Sequence, residues 1–316
     1  MTRVVIAGGS GLIGRALTSS LLADGLDVDV LSRDPRRRAG SVADSTRLVG
    51  WVPSDPATVA RLAAALEGAD AVVNLCGMPV GPLPWTAGRR RAIFDSRVIS
   101  TVRLVEAMAR LGPSARPGAF VCASGIDGYT DLDATHATET TDIGATTGFL
   151  ADVGRAWESS ADRATALGVR TVMVRTSFVL ARGSGLMQLL ALPVRLGLGG
   201  RYGSGDQWFS WIHLDDLVAT YRLAIADAGI AGPLIAATPH PVRQRELAAA
   251  LAHVLHRPNW LPLPASVLRL MLREESTLLL GSRRVVPARL LEAGFSFRFI
   301  NLEMALQEVL GPSAAA

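Results

Sequence analysis

No lysine occurs anywhere in the 316 residues; all 32 Lys+Arg positions are arginine. That excludes a Walker-type phosphate lysine, a Schiff-base lysine and any Tyr-x-x-x-Lys proton-transfer pair. Cysteine is almost as scarce. Cys76 and Cys122 each end an apolar run that reads as a strand, so buried thiols are expected and a disulfide framework is excluded. No apolar run approaches about eighteen uninterrupted residues, so no membrane span is expected. The first residues run straight into a strand without a basic-then-apolar leader. Charge of either sign is sparse too, at 19% charged against 49% hydrophobic residues, which describes a globular chain. The net charge of +4 is small. Arg36–Arg38 and Arg89–Arg91 are the only basic runs, and each reads as a solvated face or turn rather than a nucleic-acid patch. These absences together lead us to expect a cytoplasmic protein with no nucleic-acid or membrane partner.

What is present is alternation. Arg3–Ala7, Val28–Leu31, Ala71–Leu75, Ala119–Ala123 and Arg170–Val174 read as strands. Between them Leu12–Asp24, Val59–Leu66, Ala92–Leu111 and Phe149–Leu167 have helical periodicity. Nearly all-apolar strands separated by helices indicate βαβ units, hence an α/β protein with a doubly wound parallel sheet. After Leu180 the texture changes. The glycine-rich stretch Gly183–Gly205 reads as a mobile or tightly turned loop. Then come Trp208–Leu214, a helix from Asp215 to about Ala226, a strand near Pro233–Ala237, and helices at Gln244–Leu255, Ala265–Leu272 and Asn301–Leu310. The expected plan is a nucleotide-binding domain over residues 1–180 and a smaller substrate or lid domain over 181–316, with about 206–240 returning to the first.

Gly8-Gly9-Ser10-Gly11-Leu12-Ile13-Gly14 follows the first strand and opens the first helix. Gly9, Gly11 and Gly14 satisfy G-x-G-x-x-G, and Gly8, Gly11 and Gly14 satisfy the G-x-x-G-x-x-G variant. In this context the glycines permit a tight turn, so that a pyrophosphate can rest on the helix N-terminus. The residue that reads the ribose closes the second strand about twenty positions on, where Ser32, Arg33 and Asp34 stand. Arg33 and Ser32 favour the 2′-phosphate of NADP, with Arg36–Arg38 adding positive potential; Asp34 keeps NAD open.

Several further passages carry a resemblance: Val73-Asn74-Leu75-Cys76-Gly77, Trp85-Thr86, Ser96-Arg97-Val98, Ala123-Ser124, Trp157-Glu158, Gly205-Asp206-Gln207-Trp208, and Ser210-Trp211-Ile212-His213-Leu214-Asp215-Asp216. With the glycine loop, they resemble the short-chain dehydrogenase/reductase (SDR) superfamily in its extended, epimerase-like form. More narrowly, the chain is similar to an atypical NADP-binding subfamily of sugar-nucleotide epimerase type that ends in a domain of unknown function. The resemblance runs from residue 4 to about 306. It implies a Rossmann-type domain, NADP(H) as cofactor, a small-molecule substrate, and a monomer or homodimer. For the cofactor it implies Gly8, Gly9, Ser10, Gly11, Leu12, Ile13, Gly14, Ser32, Arg33, Leu75, Cys76, Gly77, Ser124 and Thr176.

The resemblance also shows where the chemistry departs. Ser124 matches the serine that polarises a carbonyl. With Glu158 aligned to the usual acidic residue, Leu150 stands at the tyrosine position and Gly154 at the lysine position, and neither moves a proton. Arg97 stands where an asparagine is usual. Tyr129, at the ligand edge of the sheet, is then the nearest candidate donor, or else a packing residue. Ser124, Tyr129 and Arg97 form the expected catalytic group, with Trp85, Gln207, Trp208 and Trp211 as substrate contacts. The two later tryptophans read equally well as core. His213 with Asp215 and Asp216 invites a metal reading, but the spacing supplies no site, and one of the aspartates is expected to cap the next helix. Three functions stay open: an NADP-dependent oxidoreductase or epimerase-like enzyme, a cyclase or lyase on the same scaffold, and an NADP-sensing protein without turnover.

Overall fold

The computed structural model describes residues 2–34, 46–81, 84–132, 136–144 and 146–311. Arg36–Arg38 lie outside them. The first half contains β1 (Arg3–Ala7), α1 (Leu12–Ala23), β2 (Asp27–Ser32), β3 (Arg47–Gly50), α2 (Val59–Leu66), β4 (Ala71–Asn74), α3 (Ala87–Ala109), β5 (Ala119–Gly125), α4 (Phe149–Asp162) and β6 (Arg170–Thr176). The second half adds β7 (Phe178–Leu180), α5 (Gly185–Arg195), β8 (Trp208–Phe209), β9 (Trp211–His213), α6 (Leu214–Ala226), β10 (Gly232–Ala236), β11 (Val242–Arg243) and α7 (Gln244–Val254). It ends with α8 (Ala265–Leu272), α9 (Thr277–Leu280), α10 (Ala288–Glu292) and α11 (Leu302–Leu310).

Seven strands among the described residues form one parallel sheet in the order β10-β6-β5-β4-β1-β2-β3. This is a Rossmann-type doubly wound sheet, with the order reversing between β1 and β4. The two periods of the sequence explain its layers. Val5 and Ala7 of β1 face one core with Leu62, Leu66, Leu104, Met108 and Trp157. Val4 and Ile6 face the other with Leu17, Leu21, Leu217 and Tyr221. Ile6 is fully buried, and burying such a side chain stabilises by about 1.5–3 kcal/mol. Helices on both faces are why the strands lack polar alternation.

The segment after Leu180 divides. α6 packs beside α1 on the second core, and β10 pairs with β6 at the sheet edge. A third core, under α5, α7 and α11, gathers Leu180, Met187, Phe209, Trp211, Leu251 and Leu306. The loop expected at Gly183–Gly205 is in part a helix. α5 starts behind Ser184, whose hydroxyl accepts from the Met187 N–H at 3.1 Å, and its apolar spacing buries Met187, Leu190 and Val194. Glycines at both ends masked that period. The strand β3 was not expected either, because Arg47–Gly50 is short and only half-buried at the sheet edge.

Candidate functional site

At the carboxyl end of β1 the backbone has no room for side chains. Gly8 has φ +83°, and a Cβ there would lie 2.7 Å from the Leu75 carbonyl. At Gly9 it would meet the Val30 methyls at 2.7 Å, and at Gly14 it would strike the Gly8 carbonyl oxygen and the Gly9 Cα. Those three glycines therefore serve packing between β1, β2, β4 and α1. Gly11 differs. It is exposed, its φ of −75° suits any residue, and an added Cβ would meet only the Gly8 oxygen at 3.3 Å. The missing side chain there clears the approach to the end of α1. No side chain caps that end, so its positive dipole faces outward. Leu12 and Ile13 form its partly exposed first turn, and the Ser10 carbonyl accepts from Arg15 at 2.9 Å. An anionic pyrophosphate fits this cradle.

β2 ends beside it. Ser32 is buried, and its hydroxyl accepts from the Asp34 N–H at 3.3 Å, while Arg33 is exposed. The expected Ser32 contact thus begins as a turn-holding bond. Across the loop, Asn74 ties down the end of β4. Its amide donates to Thr101 at 2.9 Å and its oxygen accepts from the Cys76 N–H at 3.1 Å. Leu75 and Cys76 are partly exposed and Gly77 is open. Burial of its thiol pushes Cys76 up to about 12, against a hydrogen bond with Ser100 and the Arg33 charge. Thr176, half-buried at the end of β6, lies opposite Gly125 in the sheet register.

A second group occupies the ends of β5 and β6. The Ser124 hydroxyl donates to Glu158 Oε1 at 2.6 Å. Arg175 clamps the same carboxylate through Nε and Nη2 at 2.8 and 2.7 Å, and its Nη1 donates to the Tyr129 hydroxyl. Burial alone would lower the Arg175 pKa; the bidentate bond to Glu158 raises it instead. Burial pushes Tyr129 up to about 12, with Arg175 opposing. Arg97 lies over the Trp157 ring at 5.2 Å and donates to the Met78 and Ile93 carbonyls at 3.0 Å. Burial lowers it to about 10, while the Asp127 charge holds it up, so it stays charged at neutral pH. Gly77 makes room for it, since a Cβ there would lie 3.2 Å from the guanidinium carbon.

Ser124 and Tyr129 therefore share one network, but not as expected. Tyr129 is 1% exposed within a small core of Ile126, Ala137, Ile235 and Val285. Its hydroxyl is directed at Arg175 and does not open onto a cleft. Trp211 also needs correction as a cleft wall: it is fully buried in the third core. Gln207 donates to the Tyr202 and Leu279 carbonyls, both at 3.1 Å, and so ties backbone together. Trp208 is partly exposed, with the Arg243 and Arg284 guanidiniums 3.8 and 4.2 Å from its ring centroid. Trp85 is nearly buried against Phe149, ring centroids 5.3 Å apart, and donates to the Val80 carbonyl at 2.7 Å. Neither aspartate caps α6. His213 does, its Nδ1 accepting from the Asp215 N–H at 3.1 Å. Asp216 instead accepts from the Arg298 and Phe299 N–H groups at 2.7 and 2.9 Å.

Sequence reasoning gave no role to Arg175, Glu274 or Glu275. Arg175 carried a signal, since a charge directly after the apolar run Val172-Met173-Val174 requires a partner if it is buried. Glu274 pairs with Arg90 and accepts from the Phe149 N–H at 3.1 Å, and Glu275 accepts from the Trp85 N–H at 2.5 Å. These two carboxylates join the turn after α8 to the starts of α3 and α4. Nothing local in Arg273–Ser276 announces that.

Comparison with known proteins agrees with this fold. Residues 4–233 match the NAD dependent epimerase/dehydratase family, and residues 263–309 match a domain of unknown function, DUF1731. The chain is 35% identical over 312 residues to epimerase family protein SDR39U1 of Bos taurus, covering 98% of this chain and 99% of that protein. It is 32% identical over 309 residues to the chloroplastic SDR39U1 homolog of Arabidopsis thaliana, covering 97% and 86%. The crystal structure of human epimerase family protein SDR39U1 (isoform2) with NADPH superposes with a TM-score of 0.82 at 31% identity, covering 98% and 99%. The UDP-glucose 4-epimerase of Thermus thermophilus, in complex with NAD, shares the fold, with a TM-score of 0.76 at 18% identity and coverage of 98% and 97%. The chain belongs to the NAD dependent epimerase/dehydratase family, as an atypical SDR with a C-terminal DUF1731 segment.

Proposed function

We propose that the protein is an NADP(H)-dependent oxidoreductase or epimerase-like enzyme acting on a small carbonyl or hydroxyl substrate. The observation that carries this reading is the pairing of two adjacent strand-end sites. One is a cradle open at Gly11; the other holds Ser124 beside a largely buried carboxylate. Ser10, Gly11, Leu12 and Ile13 would hold the pyrophosphate in the turn that Gly8, Gly9 and Gly14 shape by close packing, with Ser32 and Arg33 at the ribose phosphate and Leu75–Gly77, Ser124 and Thr176 at the remainder. The human relative solved with NADPH supports that choice of cofactor. When bound, the cofactor supplies or accepts hydride.

The protein's own part is proton movement. Ser124 donates its hydroxyl proton to Glu158, so Oγ presents lone pairs to a ligand rather than a proton. A substrate hydroxyl would donate to Ser124 Oγ while the serine proton passes to Glu158 Oε1. In the reverse direction Glu158 returns a proton through Ser124 to a carbonyl oxygen. Arg175 fixes the carboxylate, and Tyr129 fixes Arg175. Arg97 supplies positive charge at the neighbouring strand end for a developing oxyanion. Trp208 keeps surface at which a substrate can pack, whereas Trp85 and Trp211 are buried. This relay replaces the absent Tyr-x-x-x-Lys pair. The two free cysteines suit a reducing compartment such as the cytoplasm.

The test is isotopic. NADPH deuterated at the nicotinamide C4 is incubated with the protein and a panel of small aldehydes, ketones and keto sugars. Deuterium in an alcohol product, lost in Ser124→Ala, is the expected result. NADPH binding without transfer to any product would favour the cofactor-sensing reading.

A further inference from the structure

Thirteen large apolar side chains stand exposed among the described residues, and nine of them lie on two segments, 185–201 and 256–273. Leu196 is 66% exposed, Trp260 63%, Met271 71% and Leu270 83%. Such values describe side chains that protrude, not ones that line a groove. The two segments are stitched into one surface. The Trp260 and Leu261 N–H groups both donate to the Gly199 carbonyl at 3.0 Å, and the Leu263 N–H donates to the Arg201 carbonyl at 2.9 Å. Gly200 is pressed so closely against the Leu261 carbonyl that a Cβ there would overlap it. The indole of Trp260 is held by a 3.0 Å bond to the Gly197 carbonyl. α8 follows at once and buries only Leu268.

The charge on this surface has one sign. Neither segment contains an aspartate or glutamate, while Arg195, Arg201, Arg257, Arg269 and Arg273 are all exposed. The flanking Asp206 and Glu274 are already paired with Arg245 and Arg90. Between the segments a hollow opens, lined by Gly200, Arg201, Arg245, Asn259, Trp260 and Pro262.

We propose that this surface docks the protein on an anionic lipid bilayer, with the leucines and Trp260 entering the headgroup boundary and the arginines meeting lipid phosphates. The expectation of no membrane partner rested on the absence of a span, and no helix of the described residues is long and apolar enough to cross a membrane. Surface docking needs no such helix. Three features select this occupant. Protruding apolar side chains require no shape complement in a fluid bilayer, and a tryptophan with a satisfied N–H suits its boundary. An unopposed set of arginines matches a negatively charged leaflet. A second copy docked face to face would set arginine against arginine.

Sedimentation of the full chain with vesicles tests this. We expect it to bind phosphatidylcholine vesicles containing about a third phosphatidylserine at least tenfold more tightly than pure phosphatidylcholine, and to release in high salt. Arg195→Gln/Arg201→Gln/Arg269→Gln should abolish the preference. Leu196→Ser/Leu270→Ser should weaken binding to both, with unchanged thermal melts showing that each variant folds. Equal binding to both vesicles, or binding indifferent to both variants, overturns the proposal. So does a dimer in solution that Leu196→Ser/Leu270→Ser dissociates, or capture by an acidic polypeptide that this variant does not weaken.

Discussion

The two halves of the candidate site are built on opposite principles. The Gly8–Gly14 edge acts through backbone: its glycines remove side chains and leave a helix end open. The Ser124 edge acts through side chains, with Ser124, Glu158, Arg175 and Tyr129 drawn from β5, α4, β6 and the turn after β5. The first is local in sequence and exposed, and the second is assembled over long separations and largely buried. Disturbing the first should therefore cost ligand affinity, and disturbing the second should cost stability.

The largest effect is expected at Arg175→Met. It leaves the Glu158 carboxylate buried without its cation, which costs about 3–5 kcal/mol. Urea denaturation measures this, and a loss below about 1 kcal/mol would make the network ornamental to folding. Next comes a contrast within the glycine loop. Gly14→Ala forces a Cβ into the Gly8 carbonyl and should destabilise by about 1–3 kcal/mol. Gly11→Ala should leave the melt within about 0.5 kcal/mol of the parent yet weaken NADPH binding. If both variants lose only stability, the cradle is packing alone.

A smaller and purely ligand-directed effect is expected at Arg33→Ala. The parent should prefer NADPH to NADH by at least tenfold in calorimetric titration, about 1.4 kcal/mol, and the variant should lose that preference. Equal affinities in the parent would return the choice to NAD and Asp34. The smallest change concerns Tyr129. Tyr129→Phe removes one hydrogen bond to Arg175 and should cost about 1 kcal/mol. Burial raises all three tyrosines above their ordinary value of 10.0, Tyr129 to about 12. The unfolded chain therefore sheds these protons first, and stability should fall as pH rises from about 10 toward 12. Tyrosinate absorbance of the folded protein should stay low at pH 10, and about half a tyrosine equivalent appearing there would show one of them unburied.

What was legible follows the same division. The parallel sheet could be read because its strands are continuous apolar runs, and the glycine loop because it compresses its constraints into seven residues. β3 was missed for its brevity, and α5 because flanking glycines imitate a loop. Ser124 could be placed by its neighbours, but not its proton, which depends on Glu158 34 positions away. Tyr129 and Trp211 were misplaced for a related reason. An aromatic near a strand end looks the same in sequence whether it faces a ligand or closes a core, and only the packing of Ile235 and Val285, or of Leu180 and Phe209, decides. The carboxylates Glu274 and Glu275 lie 125 and 190 positions from the backbone they hold. No local pattern encodes such a pairing.

The central claim is that the backbone-built edge and the side-chain-built edge serve one ligand. A crystal structure of the complex with NADPH tests it most directly. We expect pyrophosphate oxygens on the N–H groups that follow Gly11, the 2′-phosphate against Arg33, and the nicotinamide within reach of Ser124, leaving room for a reacting atom about 3–3.5 Å from Oγ. A nicotinamide directed away from Ser124, with the Ser124–Glu158 pair walled off behind it, would contradict the account.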